Sequence, residues 1–204
     1  MIKITYPGTG NYSTFSYDGL SRNVGIVETT SGSVTSTKQF TWSNGERCEE
    51  RYVSGSVVKQ FFAAGQLNGT SDLYYSLDHL GSIREIENSA GVIQTECNYD
   101  CFGRQQMFSS AVAMDFGLAG YYLEGRIGCY LTKYRMYNPQ TATWTSRDPL
   151  GEDVDANLFA YVDNAPTNWT DWLGLLKDAG AAIAAAAASY TGKPAHQELR
   201  PTPN

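Results

Sequence analysis

The chain is poor in the residues from which most enzymes build a site. It has 2 histidines and 4 cysteines in 204 residues. Cys48, Cys97, Cys101 and Cys129 lie apart with no C-x-x-C pair among them. Cys97 and Cys101 are close enough in sequence to share a metal, yet no histidine is near either, so all four read as free thiols, buried or at strand edges. There is no G-x-S-x-G elbow to activate a serine. There is also no D-x-D-x-D-G loop with a closing glutamate, so Asp153, Asp155 and Asp163 lack the spacing of a calcium site. No cofactor and no metal is expected. Positive charge is scarce as well: Lys and Arg total 15 against 21 Asp and Glu, for a net charge of −6. That balance argues against a nucleic-acid surface.

Long apolar runs are missing too. The N-terminus, MIKITYPGTGNYSTF, contains nothing like a signal peptide, and the alanine-rich stretch near Ala179–Ala188 is too short to span a bilayer. The sequence therefore reads as a soluble protein with no Sec signal of its own, cytoplasmic before any export. Export by another route, to the outside or the cell surface within a larger assembly, stays open.

What the chain does have is β-forming and turn-forming material. Hydrophobic residues make up 42% of it and charged ones 18%, enough for a packed core. Fourteen tyrosines, eight phenylalanines and four tryptophans accompany twenty glycines. Aromatic strand formers with that many turn formers predict an all-β architecture. The first hundred residues repeat loosely. Tyr17-Asp18-Gly19-Leu20-Ser21-Arg22 returns as Trp42-Ser43-Asn44-Gly45-Glu46-Arg47 and as Tyr99-Asp100-Cys101-Phe102-Gly103-Arg104. Glycine turns at Gly8/Gly10, Gly32 and Gly91 precede these copies, and Gly55 opens a degenerate one. The segments between alternate in polarity, giving strand, turn, strand, turn. In each copy Asp or Asn can accept backbone N–H bonds, and Arg can lie over a ring. Stacked hairpins of this kind need neighbours to bury their faces.

Those Tyr-Asp-x-x-x-Arg units resemble YD repeats. Tyr74-Tyr75-Ser76-Leu77-Asp78-His79-Leu80-Gly81-Ser82-Ile83-Arg84 resembles a segment of the RHS repeat-associated core. Gly120-Tyr121-Tyr122, Gly128-Cys129-Tyr130-Leu131, Tyr134-Arg135-Met136-Tyr137-Asn138-Pro139, Trp144-Thr145-Ser146-Arg147-Asp148-Pro149-Leu150-Gly151 and Asn157-Leu158-Phe159-Ala160-Tyr161-Val162 follow in that core's order. The resemblance runs from about residue 10 to residue 176. It implies an antiparallel β-hairpin array, part of the hollow shell that RHS proteins and the similar C subunits of insecticidal toxin complexes wind from many repeats. The core of such proteins plugs one end of the shell and precedes a variable C-terminal toxin, and the teneurin barrel is a distant relative. Three or four repeats are too few to close a shell. The implied partners are upstream or separate YD-repeat strands, with a toxin payload or secretion machinery beyond them.

The resemblance also implies chemistry: self-cleavage by an aspartyl-protease-like pair. Carried over by motif, the pair is Asp148 and Asp171, with Arg147 orienting or tuning one carboxylate, and the cut falls between Leu175 and Leu176. Two carboxylates sharing a site cannot both ionise, so one keeps a proton and the other activates water. The family pattern has proline where this chain has Trp172, which removes a restraint on the peptide at Asp171. Read without the resemblance, both aspartates are turn caps. His79 and Ser82 read as a buried turn histidine and its neighbour rather than a catalytic pair. Tyr121, Tyr122, Tyr130, Tyr134, Tyr137 and Trp144 read as packed cross-strand rings, and as a carbohydrate platform only second.

Three regions are expected: repeat strands and the start of the core over 1–105, the core with its cleavage-like motif over 106–176, and an alanine-rich helix with a disordered tail over 177–204. The tail has no cluster of catalytic residue types and stands where a toxin would. The favoured function is a shell or plug module of a toxin or toxin-delivery protein. A surface module binding glycan or protein, and an inactive orphan fragment, are the alternatives.

Overall fold

A computed structural model describes residues 3–152, 156–175 and 177–179. The described chain is nearly all antiparallel β. Its strands are β1 (Lys3–Thr5), β2 (Tyr12–Tyr17), β3 (Asn23–Thr30), β4 (Ser33–Ser43), β5 (Glu46–Arg51), β6 (Val57–Phe62), β7 (Gly65–Asn68), β8 (Ser71–Leu77), β9 (Ile83–Asn88), β10 (Ile93–Tyr99) and β11 (Gln105–Ser110). These eleven form one sheet in chain order. Short strands follow: β12 (Tyr122–Glu124), β13 (Cys129–Leu131), β14 (Met136–Asn138) and β15 (Thr143–Trp144) make a four-stranded sheet, and β16 (Trp169–Thr170) pairs with β17 (Asp178–Ala179). Packing divides the chain into two units. One holds Met1–Phe62 and Gln66–Ser71; the other holds Ala63–Gly65 and the chain from Asp72 onward.

In the first unit, hairpin chemistry sets the register. Ser31-Gly32 and Asn44-Gly45 each have positive φ at both residues, the two-residue turn whose twist suits flanking strands. They fix Thr30 opposite Ser33 and Ser43 opposite Glu46. Phe15, Ile26, Phe40 and Phe61 are buried on one side. Arg47 is buried beside them, its guanidinium 3.8 Å from the Phe40 ring centroid and 5.4 Å from that of Trp42. A ring-stacked arginine is what the repeat pattern expects. Arg22 and Arg104 differ: each pairs with the aspartate of its own turn.

In the second unit the core is aromatic. Tyr121, Tyr130, Tyr137, Trp144 and Tyr161 are all buried, and Tyr137 lies 4.2 Å from Tyr161 and 5.6 Å from Trp144, centroid to centroid. The hydroxyls of buried tyrosines need acceptors. Tyr130 donates to the Gly103 carbonyl and Tyr137 to that of Phe102. Of the six rings singled out in the sequence only Tyr134 is exposed. The other five offer no face to a sugar.

Among the described residues no helix is long and apolar enough to cross a membrane. Of the region 177–204, expected to hold an alanine-rich helix and a disordered tail, all but 177–179 lies outside the described residues, and there Asp178–Ala179 is a strand paired with Trp169–Thr170.

Candidate functional site

One turn recurs through the chain and explains where Asp148 and Asp171 sit. At Asp18, Oδ1 accepts the N–H groups of Leu20 and Arg22, while the Asp18 carbonyl accepts from Ser21, which has φ +62°. Asp78 repeats this with Leu80, Ser82 and Gly81, and Asp100 with Phe102, Arg104 and Gly103. A short carboxylate closes a five-residue turn by capping its N–H groups, and the fourth position takes a left-handed residue. Register slips precede these turns at Ser16/Tyr17, Ser76/Leu77 and Glu96/Cys97.

Asp148 and Asp171 head two more copies. Asp148 Oδ1 accepts the Leu150 N–H at 2.8 Å, and Asp171 Oδ1 accepts the Leu175 N–H at 2.8 Å. Gly151 and Gly174 hold the left-handed position with φ +80° and +74°. The difference lies in the second oxygen. In the Asp18 and Asp100 turns it meets the arginine of the same turn, at Arg22 and Arg104. Asp148 and Asp171 instead share one distant cation, Arg135, at 2.9 Å and 3.0 Å.

Arg135 is the centre of the site. Its side chain is 3% exposed, against 7% and 4% for the two carboxylates. Nη1 meets Asp148 and the Leu158 carbonyl, Nη2 meets Asp171, and Nε donates to the Gly174 carbonyl at 2.5 Å. The guanidinium lies 4.3 Å from the Trp144 ring centroid. It enters just ahead of β14, where Thr132 and Arg135 exchange hydrogen bonds across a tight loop. The Asp171 N–H donates to the Tyr121 hydroxyl at 2.7 Å, and that hydroxyl lies 3.2 Å from the one on Tyr161. Tyr134 N–H and the Thr132 hydroxyl both bond the Leu173 carbonyl. The segment just upstream of Leu175 is thus held carbonyl by carbonyl.

Charge counting says what this arrangement does. Two buried carboxylates face one guanidinium, so full ionisation leaves an uncompensated buried negative charge. Burial pushes the Asp171 carboxyl above its ordinary value, and the Leu175 N–H and the charge of Arg135 only partly offset that. A single proton belonging to the pair restores neutrality.

Arg147, expected to orient a carboxylate, does not reach one of the pair. It is exposed and faces Glu152 at 3.6 Å. Its side chain lies on the surface, whereas that of the adjacent Asp148 is buried. Arg135 takes that place, and its only signal in the sequence was its position inside the Tyr134–Pro139 motif. Leu175 is bonded to Asp171; Leu176 lies outside the described residues. Trp172 packs its ring 6.4 Å from that of Tyr121, so the bulk that replaces proline joins the core wall while the Asp171 turn still closes.

The remaining sequence candidates separate. His79 is exposed rather than buried, its Nε2 3.0 Å from the Thr167 carbonyl oxygen, whereas Ser82 is buried and accepts the Ala119 N–H. The Asp78 turn leaves a histidine at its second position pointing outward. The four cysteines are free, Cys97 and Cys129 buried and Cys101 exposed. Burial and nearby Glu124 push the Cys129 thiol to about 11. Among the described residues no group of three His, Cys, Asp or Glu is placed to hold a metal. Asp163 pairs with Lys177, and Asp153 and Asp155 lie outside the described residues.

No family model matches the chain. Over 207 aligned residues it is 26% identical to toxin protein Tse5 of Pseudomonas aeruginosa, which covers 83% of this chain and 16% of that protein. It is 25% identical over 107 residues to double-stranded DNA deaminase toxin A of Burkholderia cenocepacia, covering 50% of this chain and 7% of the relative. The chain therefore spans a small fraction of the curated relatives it matches. Its fold superposes on the TcdB2-TccC3-TEV crystal structure with a TM-score of 0.67 at 18% identity, over 86% of this chain and 10% of that one. The Photorhabdus luminescens Tc holotoxin pore matches with a TM-score of 0.67 at 17% identity, over 87% of this chain and 10% of that one.

Proposed function

From the premise that this chain carries an RHS-repeat-associated core of toxin proteins, we propose that it is a shell or plug module which cuts its own backbone after Leu175, using Asp148 and Asp171. The pair holds one proton. Its ionised member takes a proton from a water molecule, and the water oxygen bonds to the Leu175 carbonyl carbon. The protonated member gives its proton toward the carbonyl oxygen. The C–N bond to Leu176 then breaks: the nitrogen takes the proton that the first carboxylate accepted from water and leaves as an amine, while one hydroxyl of the gem-diol returns its proton to the other carboxylate as the Leu175 carboxyl forms. Asp171 is the member that burial favours as the acid. Arg135 neutralises one charge of the pair and fixes the Gly174 carbonyl, one peptide upstream of the cut. It acts on positioning rather than as the acid or base.

One observation carries this reading: two buried aspartates from separate turns meet the two terminal nitrogens of one buried guanidinium, whose third nitrogen donates to the Gly174 carbonyl. The eleven strands in chain order support the shell part, since such an array ends in open edges that upstream repeat strands would extend. Intact mass after expression tests the cut. A piece ending at Leu175 is expected from the wild type, and whole chain from Asp148→Asn and Asp171→Asn. An uncut wild type, alone and with upstream repeats supplied, overturns the reading.

A further inference from the structure

The chain is gripped on both sides of Leu175–Leu176, and the downstream grip is not part of the aspartate pair. Lys177 forms an ion pair with Asp163, and its Nζ lies 5.7 Å from the Trp169 ring centroid. Immediately beyond it, β17 pairs with β16, Trp169 opposite Ala179 and Thr170 opposite Asp178. Asp171 begins where β16 ends, so strand, aspartate and junction form one closed loop.

The backbone that presents Asp163 is strained. Val162, Asp163 and Asn164 all have positive φ, at +43°, +53° and +57°. Asp and Asn tolerate this region, but valine, branched at Cβ, seldom adopts it. Such strain persists only where the surroundings over-determine it, and it concentrates at functional segments. The surroundings here are those of the site: Tyr161, next in sequence, is buried and its hydroxyl meets Tyr121, which accepts the Asp171 N–H.

We infer that Asp163, the Trp169 ring and β16 form a subsite for a cationic residue two positions past the cut, with Lys177 as its occupant. The subsite orients the downstream half of the scissile segment while Arg135 orients the upstream half. Asp163 and Lys177 are positioning residues. Their side chains are 52% and 45% exposed, so their pairing is a modest surface interaction. Its loss slows cleavage about two- to fivefold rather than abolishing it.

The rate arm rests on the self-cleavage reading; a second arm does not. In the full chain, Asp163→Asn keeps a residue suited to positive φ and removes the charge. First-order appearance of the piece ending at Leu175 should slow in Asp163→Asn and in Lys177→Glu, and hold at the wild-type rate in Lys177→Arg. Combining Asp163→Asn with Lys177→Glu should cost no more than either alone. High salt should slow the wild type and leave Asp163→Asn unchanged. In parallel, amide exchange of β16 and β17 is followed in an uncut Asp171→Asn chain, where adding Asp163→Asn should lower protection severalfold. Wild-type rates in both charge variants overturn the positioning role, and unchanged protection overturns the grip. A wild type that stays whole defeats the cleavage reading, and the exchange arm then decides the subsite by itself.

Discussion

At the scale of single residues, Arg135 does the most. Replacing it with methionine removes the cation that two buried carboxylates share. Removing one partner of a buried ionic group costs about 3–5 kcal/mol. Urea unfolding of Arg135→Met should show a loss of that order, and Arg135→Lys should recover little, because a point charge cannot reach two carboxylates and a carbonyl at once. Asp171 sets a pH dependence with a definite sign. Its native carboxyl holds its proton to higher pH than the unfolded one, so the native state binds more protons in that window. Its contribution is complete below the ordinary carboxylate value, about 3.9, and is lost as pH rises through the raised native value. Relative to Asp171→Asn, the wild type should therefore gain stability as pH is lowered from 7 toward about 4. A constant difference between their urea midpoints across that range would contradict the raised carboxyl. The guanidinium that meets both carboxylates is that of Arg135, and Arg147 faces Glu152 instead. Adjacency to Asp148 favoured Arg147, whereas a contact from another loop is invisible to spacing.

At the scale of elements, one five-residue turn serves both ordinary hairpins and the site. Cutting the carboxylate from such a turn removes two N–H acceptors and an arginine partner. For the half-exposed Asp100, alanine should cost about 1–2 kcal/mol. The turn glycines differ in a way thermal unfolding can read. A Cβ on Gly45 meets nothing, so Gly45→Ala costs only the left-handed backbone, about 1–2 kcal/mol. A Cβ on Gly174 runs into the Thr132 hydroxyl and the Arg135 backbone, so Gly174→Ala should lose more and loosen the site with it. Strands, hairpin turns and the ring-stacked Arg47 were legible, because alternation and turn residues act locally. That Asp148 and Asp171 head the same turn as Asp18 and Asp100 was less so. Their fourth-position glycines match, but the arginine that marks a repeat is missing from the fifth position and supplied by Arg135.

At the scale of the whole molecule, the sheet order ends at β11, an edge whose Met107 and Phe108 are exposed. Edges of that kind recruit other strands. Sedimentation velocity over rising concentration should show self-association, and Phe108→Lys should reduce it. No trend with concentration in the wild type would mean the edge is already blunted. The order of core motifs along the chain made the β architecture readable in advance. What pairs with that edge was not readable, since an edge encodes its readiness to pair and not the identity of its neighbour.

Arg135 also imposes an order in time. Its side chain touches two turns, the Gly174 carbonyl and the ring of Trp144, and it sits among aromatic residues that pack only once β12 to β15 have come together. Until then the two aspartates lack the cation they share. Any reaction that needs them paired waits for the core to close. A severed backbone would then be a receipt for completed folding, issued to no chain that stalls on the way.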